Sequence, residues 1–351
     1  MADDKQIKFD YKMTIPEYTV KQGKLFAPAT YLIDTWKAEV EEIIMPTSTT
    51  SKGVIDVSYD GKIKLSKRII RGKGVRKIII DVMDRVLKPI VIDDSIIVDL
   101  RRNSPTNYAH VLNKHLPIAL LLKKILNDKG LYNIVMILPK FLPKNIHEIY
   151  YLSGLDVIQT NRPVEGRICH YSIFPWSSML GISQGTLEKG LIGTHLINEI
   201  RKYECKYAKK IFISRKDTRK LLNEKAVEMF LCEKGFVKVY LEDIPVIEQI
   251  ALIVFANDIV AIHGAALGPL IFKQALNQSD FRLVELFSPG LVVNMFRVLV
   301  EQAGGKWVGV RGKLWPERVK YAYKRAEPPI LHSYHDFEID LRSLELAMNA
   351  I

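Results

Sequence analysis

The chain has 351 residues, of which 48% are hydrophobic and 26% charged, and this balance predicts a globular protein of two domains. Its formal net charge of +12 favours an anionic partner, whether a nucleic acid, a membrane surface or a phosphorylated substrate. The basic residues concentrate in stretches 62–77, 201–220 and 311–325. We interpret the first and third stretches as solvated surface, since only the second adjoins a motif.

The composition also limits the cellular setting. The first five residues lack the cationic and apolar segments of a signal peptide, and the apolar run 250–256 is too short to span a bilayer. We therefore expect a cytoplasmic protein. Cys169, Cys205 and Cys232 lack the spacing of a zinc site or a disulfide framework and are expected to be reduced thiols.

Residues 1–100 form a β-rich segment that we predict to be the N-terminal part of the first domain. Short strands are expected over 53–59, 77–82 and 95–100, separated by turn signals. Residues 101–200 then alternate between helix and strand, with helices over 110–126 and 143–152 and strands over 133–138 and from 157. This alternation predicts a first Rossmann-like domain with parallel strands.

Residues 201–330 repeat the alternation more clearly and are predicted to form a second Rossmann-like domain. Strands are expected over 211–214, 236–240, 259–262 and 282–286, with helices over 223–233, 245–256, 267–276 and 292–303. The domain boundary is expected near residues 196–207. Residues 331–351 carry a helical pattern, and this helix is predicted to pack back on the first domain.

Polar and small residues fall where the predicted strands of the second domain end. In open parallel sheets, ligands bind outside the carboxyl ends of the strands. An arginine there can clamp a diphosphate, a carboxylate can accept hydrogen bonds from ribose, and a small-residue turn admits a ligand to helix N-terminal amides. We therefore predict a site for a phosphate-bearing nucleotide, formed by Ser214, Arg215, His263, Gly264, Ala265, Ala266 and Glu285.

Each of these residues also has a structural explanation, which the sequence leaves open. Arg215 could pair with Asp217 or Glu224 at the surface, which would contribute little. His263 could be a satisfied core histidine, and Glu285 could anchor the helix that follows its strand. Their common location at strand ends favours a functional site.

Several short motifs resemble glycosyltransferase family 61 in their order and spacing, over roughly residues 100–310. The motifs are Asn107-Tyr108-Ala109-His110, Leu116-Pro117, Ile213-Ser214-Arg215, Leu221-Leu222-Asn223-Glu224, Gly235-Phe236, Glu248-Gln249, His263-Gly264-Ala265 and Glu285-Leu286. The resemblance implies an inverting enzyme of the GT-B type, with two facing Rossmann-like domains. It also implies a nucleotide-sugar donor, here expected to be a UDP-sugar, and a glycan or lipid-linked acceptor. Bacterial members are often linked to capsule or lipopolysaccharide assembly.

The resemblance further implies roles for individual residues. Arg215 would contact the diphosphate, His263 and its turn the phosphates or sugar, and Glu285 the ribose. Asn107 and Tyr108 would lie on the acceptor side, where His110 would act as general base. The chain departs from the family pattern at Lys114, where many relatives have a carboxylate, and at Ala266, where glycine is common.

No Asp-x-Asp motif stands where it could hold a metal-bound diphosphate, so we predict a metal-independent reaction. His332 and His335 are expected to be surface residues rather than metal ligands. Two other functions remain open. One is a catalytically degenerate nucleotide-sugar-binding or scaffold protein. The other is a basic nucleic-acid-binding protein, which we disfavour because no recognisable reading helix, finger or RNA-binding block is present. Peripheral contact with an anionic membrane would suit the basic surface.

Overall fold

The computed structural model describes residues 7–29, 40–67, 82, 86–179, 192, 194–314 and 334–351. The fold is mixed α/β, with strands that are mainly parallel in the two larger sheets. The chain divides into unit 1, Met1–Tyr18 with Thr50–Asn198, and unit 2, Thr19–Thr49 with Glu199–Ile351. The passage into unit 2 falls within the predicted boundary stretch, but residues 19–49 belong to unit 2 and not to the first domain as predicted.

The strands of the described residues are numbered in chain order. They are β1 (Phe9–Ile15), β2 (Thr19–Val20), β3 (Gly23–Pro28), β4 (Val40–Met45), β5 (Ser48–Thr49), β6 (Gly53–Tyr59), β7 (Ile63–Ser66), β8 (Ile90–Asp99), β9 (Ile134–Leu138), β10 (Asp156–Gln159), β11 (Val164–Ile168), β12 (His170–Phe174), β13 (Lys210–Ile213), β14 (Val237–Val239), β15 (Asp258–Ile262), β16 (Arg282–Phe287) and β17 (Lys306–Arg311). The strand predicted over 77–82 falls almost wholly outside the described residues.

The helices are numbered in the same way. They are α1 (Leu116–Asp128), α2 (Lys144–Leu152), α3 (Thr194–Arg201), α4 (Glu224–Cys232), α5 (Val246–Phe255), α6 (Ile271–Ala275), α7 (Met295–Gln302) and α8 (Leu341–Asn349). A short helical turn, Tyr108–His110, and a π-helical turn, Val111–His115, lead directly into α1. None of the helices in the described ranges is both long and apolar enough to cross a bilayer.

Unit 1 contains a five-stranded sheet in the order β10-β9-β8-β11-β7, in which only the edge strand β7 is antiparallel. The chain moves outward from β8 through β9 to β10 and then returns to place β11 on the other side of β8. Branched aliphatic residues such as Ile97, Val135 and Ile168 form its core. A separate antiparallel sheet joins β1, β6 and β12.

Unit 2 contains a seven-stranded sheet in the order β14-β13-β15-β16-β17-β3-β4, in which only the edge strand β4 is antiparallel. The chain moves from β13 to β14 on one side and then returns to β15 on the other side of β13. β13, β15 and β16 are almost continuously apolar, as expected for strands covered on both faces.

The C-terminal helix packs within unit 2, which corrects the prediction that it returns to the first domain. Leu344 and Ala347 of α8 are fully buried in the same core as Phe26 of β3 and Val308 of β17. The helix begins at Asp340, whose Oδ2 accepts the Ser343 backbone N–H at 2.8 Å. The apolar face of α8 was visible in the sequence, but its partner was not, because β3 reaches this sheet from a distant part of the chain.

Candidate active site

The first cluster of predicted residues lies at the carboxyl end of the unit 2 sheet, between β13 and β15. These strands separate the two directions in which the chain builds the sheet, and such a reversal is where ligands bind in doubly wound folds. Ile213 pairs with Ala261 in parallel register, which brings Arg215 level with His263. Two of the predicted residues therefore meet at the point where the fold favours a ligand.

Two guanidinium groups converge on the turn that follows β15. Arg215 Nη1 lies 3.4 Å from the carbonyl oxygen of His263, and Arg219 Nη1 donates to the same oxygen at 2.9 Å. A Cβ added to Gly264 would lie 2.0 Å from Arg215 Nη1. Gly264 is therefore required for the approach of Arg215, while its φ of 165° is ordinary extended backbone.

Arg219 is not among the residues predicted from the sequence. It follows Arg215 by one helical turn's spacing in the sequence, but its backbone adopts a left-handed conformation with φ of 61°, so no regular pattern places its side chain. Its Nε is buried and has no hydrogen-bond partner among the residues that the structure describes, and its guanidinium packs 5.4 Å from the ring centroid of Tyr334.

The two arginines are partly buried cations without an ion pair in the described part of the chain. Burial lowers the pKa of Arg215, and burial together with the neighbouring Arg215 lowers the pKa of Arg219 to about 10. Glu224, one of the surface partners considered for Arg215, instead accepts hydrogen bonds from Ser214 Oγ and Tyr240 Oη. An anion placed between the guanidiniums would relieve both the desolvation and the mutual repulsion.

Ser214 is among the residues predicted to form the nucleotide site, and its hydroxyl bonds within the protein. Ser214 is buried, its Oγ donates to Glu224, and its backbone N–H donates to the Val239 carbonyl at 3.1 Å. The residue therefore ties the end of β13 to α4 and β14. Its contribution to the site is to fix the direction in which the chain leaves the strand before Arg215.

His263 is held by a buried carboxylate. Its Nδ1 lies 2.6 Å from Oε1 of Glu285, and its ring stacks on Phe287 with 5.2 Å between centroids. An ionised carboxylate only accepts hydrogen bonds, so Nδ1 donates to Glu285 and the opposite nitrogen, Nε2, can accept a hydrogen bond. The imidazole ring is thus fixed in orientation and tautomer while 13% of the side chain stays accessible.

The position of Glu285 corrects the prediction that it meets a ribose. It lies inside β16, two residues before Phe287 at the strand end, and has no solvent exposure. Oε1 is taken by His263, and Oε2 accepts the Trp307 indole N–H at 2.7 Å. Both oxygens are therefore occupied within the protein. No strand is predicted over β17, which carries Trp307. The hydrogen bond from the Trp307 indole to Glu285 could therefore not be predicted from the sequence.

Ala265 and Ala266 are partly exposed at the start of the turn after His263. The predicted helix over 267–276 is instead a 3-10 turn, Ala265–Leu270, followed by the short helix α6. Pro269 lies inside the 3-10 turn and cannot donate a backbone hydrogen bond. The ability of this site to hold an anion therefore depends on the guanidiniums rather than on the amides of a long helix.

The acceptor-side residues predicted from the Asn-Tyr motif lie in unit 1, at the entry to α1. Asn107 caps the first helical turn, where its Oδ1 accepts the His110 backbone N–H at 3.2 Å. The Tyr108 hydroxyl is buried, and burial together with the charge of Glu148 raises the pKa of its phenol. The cap accounts for Asn107 without a ligand, whereas the Tyr108 hydroxyl has no hydrogen-bond partner among the described residues.

His110 is half-buried, with its Nδ1 enclosed and without a hydrogen-bond partner in the described residues. Burial and the charge of Lys114 lower its pKa, so the ring is neutral at neutral pH and able to accept a proton. Burial likewise lowers the pKa of Lys114, whose Nζ lies 5.8 Å from the ring centroid of Trp176.

No group of three or more His, Cys, Asp or Glu side chains is arranged to hold a metal ion within the ranges that the structure describes. His332, one of the paired histidines considered above, lies outside those ranges.

A parallel sheet with unpaired guanidiniums at its reversal point is typical of proteins that bind nucleotide phosphates. Residues 78–278, more than half of the chain, match the family described as Glycosyltransferase 61. The chain therefore belongs to the glycosyltransferase 61 family and is a glycosyltransferase. The match contains Arg215, Arg219 and His263 but ends before Glu285. No curated protein matches the sequence.

Proposed function

We propose that this glycosyltransferase is an inverting, metal-independent enzyme of the GT-B type. In the proposed reaction, it transfers a sugar from a nucleotide sugar, expected to be a UDP-sugar, to a glycan or lipid-linked acceptor. The proposed setting is surface polysaccharide synthesis in the cytoplasm, where the net charge of +12 would favour an anionic membrane face.

The observation that supports a nucleotide-sugar donor is the pair of partly buried arginines beside Gly264. Arg215 and Arg219 lie at the reversal point of the unit 2 sheet, and both direct nitrogens to the His263 carbonyl. A diphosphate can accept several charge-assisted hydrogen bonds from such a pair. Two cations at a leaving diphosphate would also stabilise the charge that develops as the glycosidic bond breaks, without a metal.

Two histidines have separate proposed roles. His263, oriented by Glu285, would lie beside the phosphates or the transferred sugar, where Nε2 can accept a hydrogen bond from a sugar hydroxyl. His110 would take the proton from the acceptor hydroxyl, a role that suits a neutral imidazole whose pKa is lowered. Inversion would follow if that hydroxyl attacks the sugar on the face opposite the departing diphosphate.

The donor site is tested by thermal-shift measurements with uridine, guanosine, cytidine and thymidine diphosphates and their sugars, in the absence of metal. A ligand at 100 times its dissociation constant stabilises a fold by about 2.7 kcal/mol. We expect one nucleotide to stabilise the wild-type protein and to lose this effect in Arg215→Gln and Arg219→Gln.

The matched control is Lys216→Gln. Lys216 adjoins Arg215 in sequence, but it is exposed and its Nζ lies 2.6 Å from Asp243 Oδ2. This variant should retain the nucleotide-dependent shift. The absence of a shift with every compound, or an equal loss in all three variants, would contradict the proposed donor site.

The catalytic proposal is tested by nucleotide release from the stabilising donor in the presence of varied acceptors. His110→Ala should lose turnover and retain nucleotide binding. Unchanged turnover in this variant would remove His110 from the mechanism. Binding without donor consumption by the wild-type protein would favour the catalytically degenerate alternative.

A further inference from the structure

Unit 1 contains its own cavity at the carboxyl end of its parallel sheet. The cavity has a volume of about 930 Å³, and its lining includes the last residues of β8 and β11, Asp99 and Ile168, and the residues that follow them. β8 and β11 are neighbours on either side of the point where the chain reverses its direction of sheet building. The cavity therefore occupies the position that open parallel sheets use for ligands. None of its lining residues is among the site residues predicted from the sequence.

The loop that forms one wall of the cavity has an unusual backbone. Asn103 and Ser104 are consecutive non-glycine residues with φ of 58° and 63°. Such left-handed pairs persist only where surrounding contacts hold them. Here the Asn103 carbonyl lies 3.0 Å from His115 Nε2, and the Ser104 carbonyl accepts the Asn107 backbone N–H at 3.2 Å.

A buried ion pair, Asp99 with Arg101, lies in the lining of the cavity, and the arginine balances the negative charge of the carboxylate. Asp99 is the carboxylate among the lining residues. Arg101 donates to both of its oxygens, at 2.9 and 2.6 Å, and Ser66 Oγ donates to Oδ2 at 2.7 Å. The carboxylate is therefore fully neutralised within the protein.

The remaining charged groups of the lining are basic. Arg102 and Lys67 are exposed, and neither has an ion pair with a carboxylate among the described residues. His170 lies on the same wall, where burial and Lys64 lower its pKa, with Arg102 acting in the same direction and Asp60 against it. Lys67 belongs to the basic stretch 62–77, which was predicted to be solvated surface. The net potential in the cavity is positive.

Apolar and hydroxyl groups complete the lining. The Trp176 ring forms part of the wall, and Ser104 and Thr106 contribute hydroxyl groups. Trp176 is held by His115, with 5.6 Å between ring centroids. An aromatic wall with a few convergent polar groups is typical of a small-molecule site. Basic groups beside hydroxyls suit a polyol that carries an oxyanion.

We propose that this cavity binds the acceptor through an oxyanion, a phosphate or carboxylate group held by Arg102 and Lys67. The inference rests on the proposed function, because a transferase needs a second substrate site besides that of the donor. The chemical class proposed for the acceptor is therefore an acidic molecule rather than a neutral one. The oxyanion could belong to a lipid-linked diphosphate or to an acidic sugar, and the test separates these sources.

The test measures binding of inorganic pyrophosphate, glucuronate and glucose to the full-length protein by isothermal titration. All variants carry Arg215→Gln, so that binding at the unit 2 arginines is weakened equally throughout. The cavity variant adds Arg102→Gln and Lys67→Gln. The matched control adds Arg342→Gln and Lys52→Gln, which remove the same charges from exposed positions outside the cavity.

We expect the affinity of the cavity variant for its oxyanion to fall by about tenfold or more, whereas the control keeps its affinity. Loss confined to pyrophosphate indicates a lipid-linked diphosphate, and loss that includes glucuronate indicates an acidic glycan. Equal loss in both variants would overturn the proposal, because long-range charge would then explain it. Failure of both anions to bind, or glucose binding as tightly as glucuronate, would also overturn it.

The outcome is separable from that of the proposed donor site. Arg102→Gln and Lys67→Gln in the wild-type background should leave nucleoside diphosphate binding unchanged and raise the KM for the acceptor. If no nucleoside diphosphate binds the wild-type protein, the proposed function fails. Selective loss of pyrophosphate or glucuronate binding in the cavity variant would then still establish an oxyanion site.

Discussion

The imidazole Nδ1 of His263 lies 2.6 Å from Oε1 of Glu285, a carboxylate with no solvent exposure. The opposite carboxylate oxygen accepts the Trp307 indole N–H at 2.7 Å. β17 thus fixes Glu285, Glu285 fixes His263, and His263 adjoins the two arginines through its carbonyl oxygen. In the proposed donor site, Glu285 is a positioning residue, which would act on the donor through His263 rather than by contact.

The first prediction concerns Glu285→Gln. The amide oxygen would accept from Trp307, so the amide nitrogen would face His263 Nδ1 and force it to become an acceptor. The histidine would change to the Nε2–H tautomer, in which Nε2 can donate to a phosphate oxygen instead of only accepting a hydrogen bond. We therefore expect nucleoside diphosphate binding to tighten by about tenfold, the gain of one hydrogen bond to a charged group. Nitrogen-15 spectra of the labelled histidine report the tautomer directly.

Trp307→Phe is the control for this change. It removes the other hydrogen bond to Glu285 but leaves the carboxylate opposite His263. We expect lower stability with the Nδ1–H tautomer and nucleotide binding retained. If Glu285→Gln keeps the wild-type tautomer, then Glu285 does not act in this way.

The second prediction concerns Gly264→Ala. The backbone of Gly264 is extended and accepts any residue, but the added Cβ would lie 2.0 Å from Arg215 Nη1. A guanidinium at the end of a flexible side chain can move away, so the fold should remain. We expect nucleoside diphosphate binding to weaken by about tenfold while the melting temperature changes little.

Gly235→Ala should give the opposite result. Gly235 has φ of 82°, and a Cβ there would meet only Lys210, at 3.9 Å. An alanine in this left-handed conformation costs about 1–2 kcal/mol, so the melting temperature should fall and nucleotide binding should persist. Equal loss of binding in both glycine variants would show that Gly264 acts only through stability.

The third prediction is a pH dependence of stability that arises from Lys273. Its Nζ is buried, donates to the carbonyls of Val254 and Ala256 at 2.8 and 2.7 Å, and has its pKa lowered to about 7 by burial and then by Lys209. In the unfolded chain, the pKa is about 10.4. Between these values the unfolded state binds more protons, so this residue makes the unfolding free energy rise with pH.

Lys273→Met isolates this contribution. The unfolding free energy is measured with urea at pH 7 and at pH 9. From the lower to the higher pH, it should rise less, or fall more, in the variant than in the wild type. The comparison between the two proteins removes the effects of other titrating groups. Parallel pH profiles would show that Lys273 stays charged in the folded protein.

The fourth prediction concerns the buried pair beneath the unit 1 cavity. Asp99→Asn would leave Arg101 buried without a charged partner, which costs on the order of 3–5 kcal/mol. Asp99→Leu combined with Arg101→Met should recover part of that loss, because neither charge is then buried. Equal destabilisation by the single and double variants, measured by urea unfolding, would contradict this account.

Acid should reduce the effect of Asp99→Asn. Burial opposes ionisation of Asp99, but the hydrogen bonds and charge of Arg101 outweigh it and hold the pKa of Asp99 below its usual range. The pair therefore stabilises the fold above about pH 4, the unfolded value, and loses this effect as pH falls below it. The difference between wild type and Asp99→Asn should shrink over the same range.

The sequence by itself predicted the alternating elements of unit 2 and the nucleotide-type site at their ends. Continuous apolar runs such as β15, followed by Gly264 and its small neighbours, reveal a covered parallel strand and a turn because these signals are local. The order of motifs also identified the glycosyltransferase family, which the match over residues 78–278 confirms.

Only the tertiary structure decided which side chains meet. β3 joins the sheet of unit 2, α8 covers it, and Trp307 reaches Glu285 across contacts between segments distant in the chain. Arg219 and the loop at Asn103 adopt left-handed backbone that follows no residue pattern. The pairing of β16 with β15 and β17 leaves Glu285 buried, because packing between remote segments, and not local propensity, sets which face of each strand is buried.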